Sequence, residues 1–376
     1  METPHRLCDP NQSFVSLGTP VLAPLSSRAT GRIIQNLLNF RAYRRDAMLN
    51  PTQQIMRLGF GFAVSQALRV IIELGIPDLL AVNGQSVDQL AAASQSDAGA
   101  LYRVMRLLAP EGVFQEVSPR HFELTDIGAA LRSDRPGPRD FVRMINSEPY
   151  LAFEQLLHSV RTGKPAFDKV FGSPRFDWLS QHPEQAALFQ HAMVALSQGN
   201  NEDVADAYDF KQFTRVVDVG GGHGQLLSAI LARNPHLNGV LFDLHSGVAA
   251  ARQSAGGDLP RTEFVAGDFF ERIPAGDVYV IKKVVHDWDD GHAAVILRNC
   301  RKAMLPNGKV LVAETLVPPG DEPNQIKGID VVMLAVTGGL ERTKAQFAGL
   351  FDAAGLRLER VIETRGSISI LEACPA

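Results

Sequence analysis

Cysteine is scarce, long apolar runs are missing and neither sign of charge predominates. Cys8, Cys300 and Cys374 are odd in number and widely spaced in a chain of 376 residues. That usage argues against a disulfide framework or a cysteine-rich zinc site and fits free thiols in a reducing, cytoplasmic compartment. No uninterrupted apolar stretch reaches the roughly 20 residues that span a bilayer, so no membrane partner is expected. The net charge of −4 leaves no electrostatic footprint for nucleic acid and suits small neutral substrates. The first ten residues carry Glu2 and Asp9 without a hydrophobic segment behind them, which argues against a secretory signal. Residues 1–30, rich in Pro, Ser, Thr and Gly, read as a poorly ordered extension.

What is present suffices for two ordinary cores, since 45% of the chain is apolar. Residues 31–165 are mainly helical in pattern, with apolar steps of three and four in Phe60–Leu74 and on through Phe153–Val160. Ser86–Ser94 reads as a capped helix, Ala98–Leu108 as a second, and Val113–Val117 with His121–Leu124 as a hairpin. Helix, helix and hairpin make a winged-helix arrangement, but Arg103 and Arg106 are poor provision for reading DNA. Packing against a second copy is the better expectation. Residues 166–211 read as connecting helices, among them Pro183–Met193. From 212 to 376 strand candidates alternate with helices, at 215–219, 238–243, 262–267, 278–283, 308–315, 357–363 and 367–372. The last two are too close for a crossover, so the sheet is parallel with an antiparallel end.

The run Arg215-Val-Val-Asp-Val-Gly-Gly-Gly-His-Gly-Gln225 joins an apolar strand to a glycine turn and a helix. Gln225 stands where the dinucleotide fingerprint needs its third glycine, which disfavours NAD. Asp218, at the end of the strand, would repel a pyrophosphate and attract a cationic sulfonium ligand with its ammonium group. Asp243 ends the next strand at the interval where a carboxylate binds ribose hydroxyls. S-adenosylmethionine is therefore the expected cofactor, leaving S-adenosylhomocysteine as product.

Ligands of open α/β sheets bind outside the carboxyl ends of the strands, so the residues that follow strands matter most. Asp268 and Phe269, in Gly267-Asp-Phe-Phe270, could take an adenine, the plainer reading being a cap and a core ring. Ile281-Lys-Lys-Val-Val-His-Asp-Trp-Asp-Asp290 brings Lys282, His286 and Trp288 to the crevice. Methyl transfer to a phenol requires loss of a proton, for which an imidazole is a suitable base if a carboxylate holds its tautomer. Glu314 and Glu341 are available for that. His286 with Asp287, Asp289 and Asp290 could suggest a metal, but three acids within four positions cannot all face one centre, and none is expected.

At this point the chain resembles the caffeic-acid-type plant O-methyltransferases and the related bacterial enzymes of antibiotic and pigment pathways. The likeness covers roughly residues 50–376 and rests on Val217-Asp-Val-Gly-Gly-Gly-His-Gly224, Phe242-Asp-Leu244, Gly267-Asp-Phe269, His286-Asp-Trp288 and Glu341-Arg-Thr343. It implies an α/β fold with a C-terminal Rossmann-like seven-stranded methyltransferase sheet and an N-terminal, mainly helical winged-helix dimerisation domain. It also implies a homodimer acting on a small-molecule acceptor. By position, Asp218, Gly220, Gly222, Asp243, Leu244, Asp268, Phe269, Lys282, Trp288 and Ser197 would bind the cofactor. His286 would be the base, flanked by Glu314 and Glu341, with Asn146, Met193, Asp287 and Met333 on the acceptor side.

The expected reaction is an SN2 displacement in which His286 deprotonates an aromatic hydroxyl. His245, Lys283 and Phe153 depart from the plant pattern, where proline, tryptophan and tryptophan are frequent. These departures turn the expected substrate from a phenylpropanoid to a bacterial secondary metabolite, and each has an ordinary structural explanation. The rival readings are methylation of nitrogen, carbon or a carboxylate, and a catalytically silent cofactor-binding regulator.

Overall fold

The computed structural model describes residues 50–376 apart from 136, 198–199 and 255–258. The expected extension at 1–30, with residues 31–49, lies outside the described residues. The chain divides into two compact units, 1–62 and 63–376. In the first, Asn50 caps the helix Pro51–Gly59 by accepting from Gln53 N, and the Gln53 side chain returns the bond to Asn50 N. Ile55, Met56, Leu58, Phe60 and Phe62 are exposed there.

In the second unit the helices Val87–Ser94 and Ala98–Leu108 start on Ser86 and Asp97, whose side chains accept backbone N–H groups. Leu90, Leu101, Met105 and Leu108 pack with Phe114 and Phe122 of the hairpin in a closed core. The hairpin strands β2 (Phe114–Ser118) and β3 (His121–Leu124) fall where the sequence places them. A third strand, β1 (Gln85–Ser86), pairs with β3 and completes the wing. It is too short to show periodicity. The helix expected to run through Phe153–Val160 is broken into Glu148–Phe153 and Leu156–Thr162. The connecting helix runs further than expected, Pro183–Ser197.

Seven strands form the main sheet: β4 (Arg215–Val219), β5 (Asn238–Asp243), β6 (Thr262–Ala266), β7 (Gly276–Lys282), β8 (Met304–Glu314), β9 (Leu356–Glu363) and β10 (Ser369–Pro375), in the order β6-β5-β4-β7-β8-β10-β9. The β4–β8 pairings are parallel, and β10 runs antiparallel to both β8 and β9, the expected reversed end. The central strands read as near-continuous apolar runs because both faces are covered. Val217, Val219, Tyr279, Ile281 and Val312 face the helices Asp290–Ala303 and Lys344–Ala353, while Val216, Val278, Val280 and Leu311 face Gln225–Arg233 and Asn200–Ala207. Among the described residues no single helix is long and apolar enough to cross a membrane.

From β4 the chain builds outward through β5 and β6, then returns to lay β7 on the other side of β4. That reversal opens a crevice at the carboxyl ends of β4 and β7. Gly220 sits there with φ of 71°, and a Cβ on it would lie 2.7 Å from Val284 Cγ2. Gly220→Ala combines left-handed strain with a clash and is expected to cost about 2 kcal/mol. A chemical-denaturation midpoint reads this, and an unchanged midpoint would mean that the turn relaxes freely around a methyl group.

Candidate active site

The glycine turn is tied to β5 at its far end. Asp243 accepts from Gly222 N at 2.8 Å and from Leu244 N at 2.7 Å, and Gly220 N donates to Phe242 O at 2.8 Å. Burial raises the Asp243 carboxyl above its ordinary range, against the bonds from Gly222 and Leu244. The Leu244 side chain itself is exposed. Asp218 lies behind the turn, fully buried, and its Oδ2 has no hydrogen-bond partner. Burial pushes its carboxyl up to about 7, opposed by Lys282 and reinforced by Asp243. A buried acceptor with an open lone pair is the provision a cationic ligand needs. Lys282 Nζ donates to Asn201 Oδ1 at 2.8 Å, and burial lowers its pKa. Asn201 carries no motif or spacing that marks it in the sequence.

The adenine-side candidates gather into an aromatic wall. Trp288 meets Phe270 edge-on at 4.7 Å and Phe269 at 6.0 Å between ring centroids. Asp268 Oδ1 accepts from Phe270 N at 2.8 Å, a local turn that orders this segment.

After β7 the backbone enters the left-handed region at Lys283, φ 53°, and closes into the short 3₁₀ turn Val285–Asp287. The turn presents His286 to the two acids. Nδ1 is 2.7 Å from Glu341 Oε1, and the backbone N–H of His286 donates to Glu314 Oε1 at 3.3 Å. Nε2 lies 3.9 Å from Asp287 Oδ1. The loop carrying Glu341 is clamped from three sides. Leu340 N donates to His286 O at 2.8 Å, Glu341 N donates to Asp330 Oδ1 at 2.9 Å, and a Cβ at Gly339 would fall 2.1 Å from His286 O. Arg342, fully buried, donates to Val285 O, Leu340 O and Trp288 O and pairs with Asp290.

Burial disfavours the imidazolium of His286, but Glu314, Asp287 and Glu341 outweigh it and push the group up to about 9. Burial also raises the Asp287 carboxyl, whereas His286 draws Glu341 down against its burial. The donor atoms of His286, Glu314 and Glu341 lie within 4.8 Å of one another, a density of negative charge that calls for a cation. Lys283 supplies one, its Nζ 3.4 Å from Glu314 Oε2 and 3.8 Å from Glu341 Oε1. Lys283, for which an ordinary structural place is expected from the sequence, stands inside the cluster. Asp289 and Asp290 turn elsewhere, to His292 and Arg342.

The acceptor-side candidates are less concentrated. Asn146 Oδ1 accepts from Ser65 and Gln66 and its Nδ2 donates to Val142 O, so its amide is engaged within the chain. Met333 accepts from Thr337 through its sulfur, and Met193 is half-buried on its helix. The Ser197 side chain lies outside the described residues.

A glycine turn at the switch point of this sheet, a carboxylate ending the neighbouring strand and an aromatic wall fit an S-adenosylmethionine-dependent methyltransferase. Residues 153–357 match the O-methyltransferase domain and residues 56–134 the O-methyltransferase dimerisation domain. The chain belongs to the O-methyltransferase family. It is 42% identical to a phenazine O-methyltransferase of Lysobacter antibioticus over 85% of this chain and 95% of that one. It is 34% identical to an 8-amino-8-demethylriboflavin N,N-dimethyltransferase of Streptomyces davaonensis, over 84% and 95% of the two chains. Among solved structures it resembles an O-methyltransferase from neocarzinostatin biosynthesis, in complex with S-adenosylmethionine and 2-hydroxy-5-methyl naphthoic acid. That likeness has a TM-score of 0.73 and 33% identity, covering 84% of this chain and 96% of that one.

Proposed function

We propose that this methyltransferase O-methylates a small aromatic hydroxyl compound of secondary metabolism, with His286 as general base. The observation that carries the reading is the 2.7 Å contact between His286 Nδ1 and Glu341, itself pinned by Asp330 and the Leu340–Arg342 clamp. A carboxylate on Nδ1 holds the proton there and leaves the Nε2 lone pair for the acceptor. S-adenosylmethionine, when bound, supplies an electrophilic methyl group on a sulfonium. Asp243 would hold its ribose, Asp218 and Lys282 its amino-acid end, and Phe269 with Trp288 its adenine side. His286 takes the hydroxyl proton at Nε2, Glu341 and Glu314 stabilise the imidazolium formed, and Asp287 lies on the acceptor side.

A homodimer fits the exposed apolar residues of 51–62, which a second copy would cover, and buried free thiols at Cys300 and Cys374 suit the cytoplasm. The similarity to an N,N-dimethyltransferase favours one second reading, methylation of an amine with His286 only orienting it.

The pH dependence of kcat/KM separates the two. A required neutral imidazole held up to about 9 makes the rate climb through neutrality, close to tenfold per pH unit on the acid limb. A profile flat between pH 6.5 and 8.5 would favour the amine. The same group bears on folding. Its stabilisation is complete below the ordinary imidazole range near 6.5 and is lost as pH rises through about 9.

A further inference from the structure

Lys283 stands in a place that a lysine occupies against its backbone preference. Its φ of 53° is left-handed, a region most comfortable for glycine or asparagine, and its N–H donates to Ala313 O of β8 at 3.2 Å. Its side chain is three-tenths exposed, while the two acids it reaches are buried. Glu314 Oε2, 3.4 Å from the ammonium, has no hydrogen-bond partner, and Glu341 Oε1, 3.8 Å away, is the oxygen His286 Nδ1 already uses.

These contacts set two acids against the base, and one cation eases the conflict. A neutral His286 leaves two carboxylates side by side in a buried site, and their repulsion is relieved most simply by keeping the imidazole protonated. A protonated imidazole is no base. We propose that Lys283 is a positioning residue whose ammonium compensates the Glu314–Glu341 pair and so enlarges the fraction of His286 present as neutral base; the inference rests on the general-base reading above.

The other charges around His286 do not remove the need. Asp287 adds a further negative charge on its own turn. From the helix Gln325–Val336, Asp330 accepts the Glu341 N–H, and from the 337–343 loop Arg342 is spread over three carbonyls and Asp290. Arg175, in the helix Arg175–Ser180, acts on Asp287 and is paired with Glu148. Lys282, at the end of β7, feels Glu314 but donates to Asn201 and acts chiefly on Asp218. Lys283 opposes the acids at the imidazole itself, in the direction of a lower His286 pKa.

The test uses the full chain with ¹³C-labelled histidine and three variants. Lys283→Met removes the charge, Lys283→Gly removes it while easing the backbone, and Lys283→Arg restores it. In the cofactor-free protein the His286 Cε1 titration is expected to move to higher pH in the Met and Gly variants and to return in the Arg variant. With the aromatic acceptor that the wild type methylates, the acid limb of kcat moves with it, a loss of about tenfold at neutral pH, while KM for S-adenosylmethionine holds. A His286 titration unmoved in both folded charge-free variants would overturn the proposal. A titration that moves while the kcat profile does not follow would uphold the charge compensation and overturn the general-base reading beneath it.

Discussion

His286→Ala is expected to lower methyl transfer to an aromatic hydroxyl by about 10²–10⁴-fold while leaving S-adenosylmethionine affinity near that of the wild type. The size follows from what the imidazole contributes. A phenol is almost wholly protonated at neutral pH, and its oxygen becomes a strong nucleophile only as the proton leaves. The selectivity follows from where the residue is anchored. The turn is held by backbone groups, His286 N to Glu314 and His286 O to Leu340 N, which truncation to alanine keeps. The glycine turn follows β4 and Asp243 ends β5, whereas the 3₁₀ turn follows β7. Steady-state kinetics with calorimetric titration of the cofactor reads both quantities. Unchanged turnover would remove His286 as the base, and a parallel loss of cofactor affinity would make it part of the donor site instead.

Asp243→Ala should have the reverse signature, with cofactor affinity falling by about 10²–10⁴-fold. A carboxylate that receives two ribose hydroxyls makes two charge-assisted bonds, each worth roughly 1.5–3 kcal/mol. Asp243 is already held in place by the Gly222 and Leu244 amides, so little ordering would remain to be done on binding. The substitution also frees the glycine turn from β5, which adds to the loss. Turnover at saturating cofactor should recover much of its wild-type value. A dissociation constant within threefold of the wild type would place Asp243 outside the donor site.

Much of this arrangement could be read from residue types because it depends on local rules. Doubly covered strands must be apolar throughout, so the seven strands and the reversed end stood out. Asp218 and Asp243 were informative because their strand-end address is set by topology. Other features depend on approach between distant segments, which periodicity does not report. The two-residue strand β1 exists only through its pairing with β3. The break between Phe153 and Leu156 leaves apolar spacing intact. Lys283 showed only as a departure from the plant pattern because its partners, Glu314 and Glu341, come from a neighbouring strand and a distant loop. Gly339 gave no signal at all, although its missing side chain lets that loop lie against His286. Asn146 was assigned to the acceptor by resemblance alone, and its amide bonds to residues 65, 66 and 142 connect it to the neighbouring helices.

The central claim is that the methyl group goes to oxygen. The most direct measurement supplies S-adenosylmethionine with a ¹³C-labelled methyl group to the full-length protein, together with a panel of fused-ring and single-ring aromatics bearing hydroxyl, amino and carboxyl groups. Products are then assigned by mass spectrometry and carbon NMR. The account predicts an aryl methyl ether, formed by the wild type and nearly lost in His286→Ala; a labelled methyl on nitrogen, carbon or a carboxylate, formed equally well by both proteins, would contradict it.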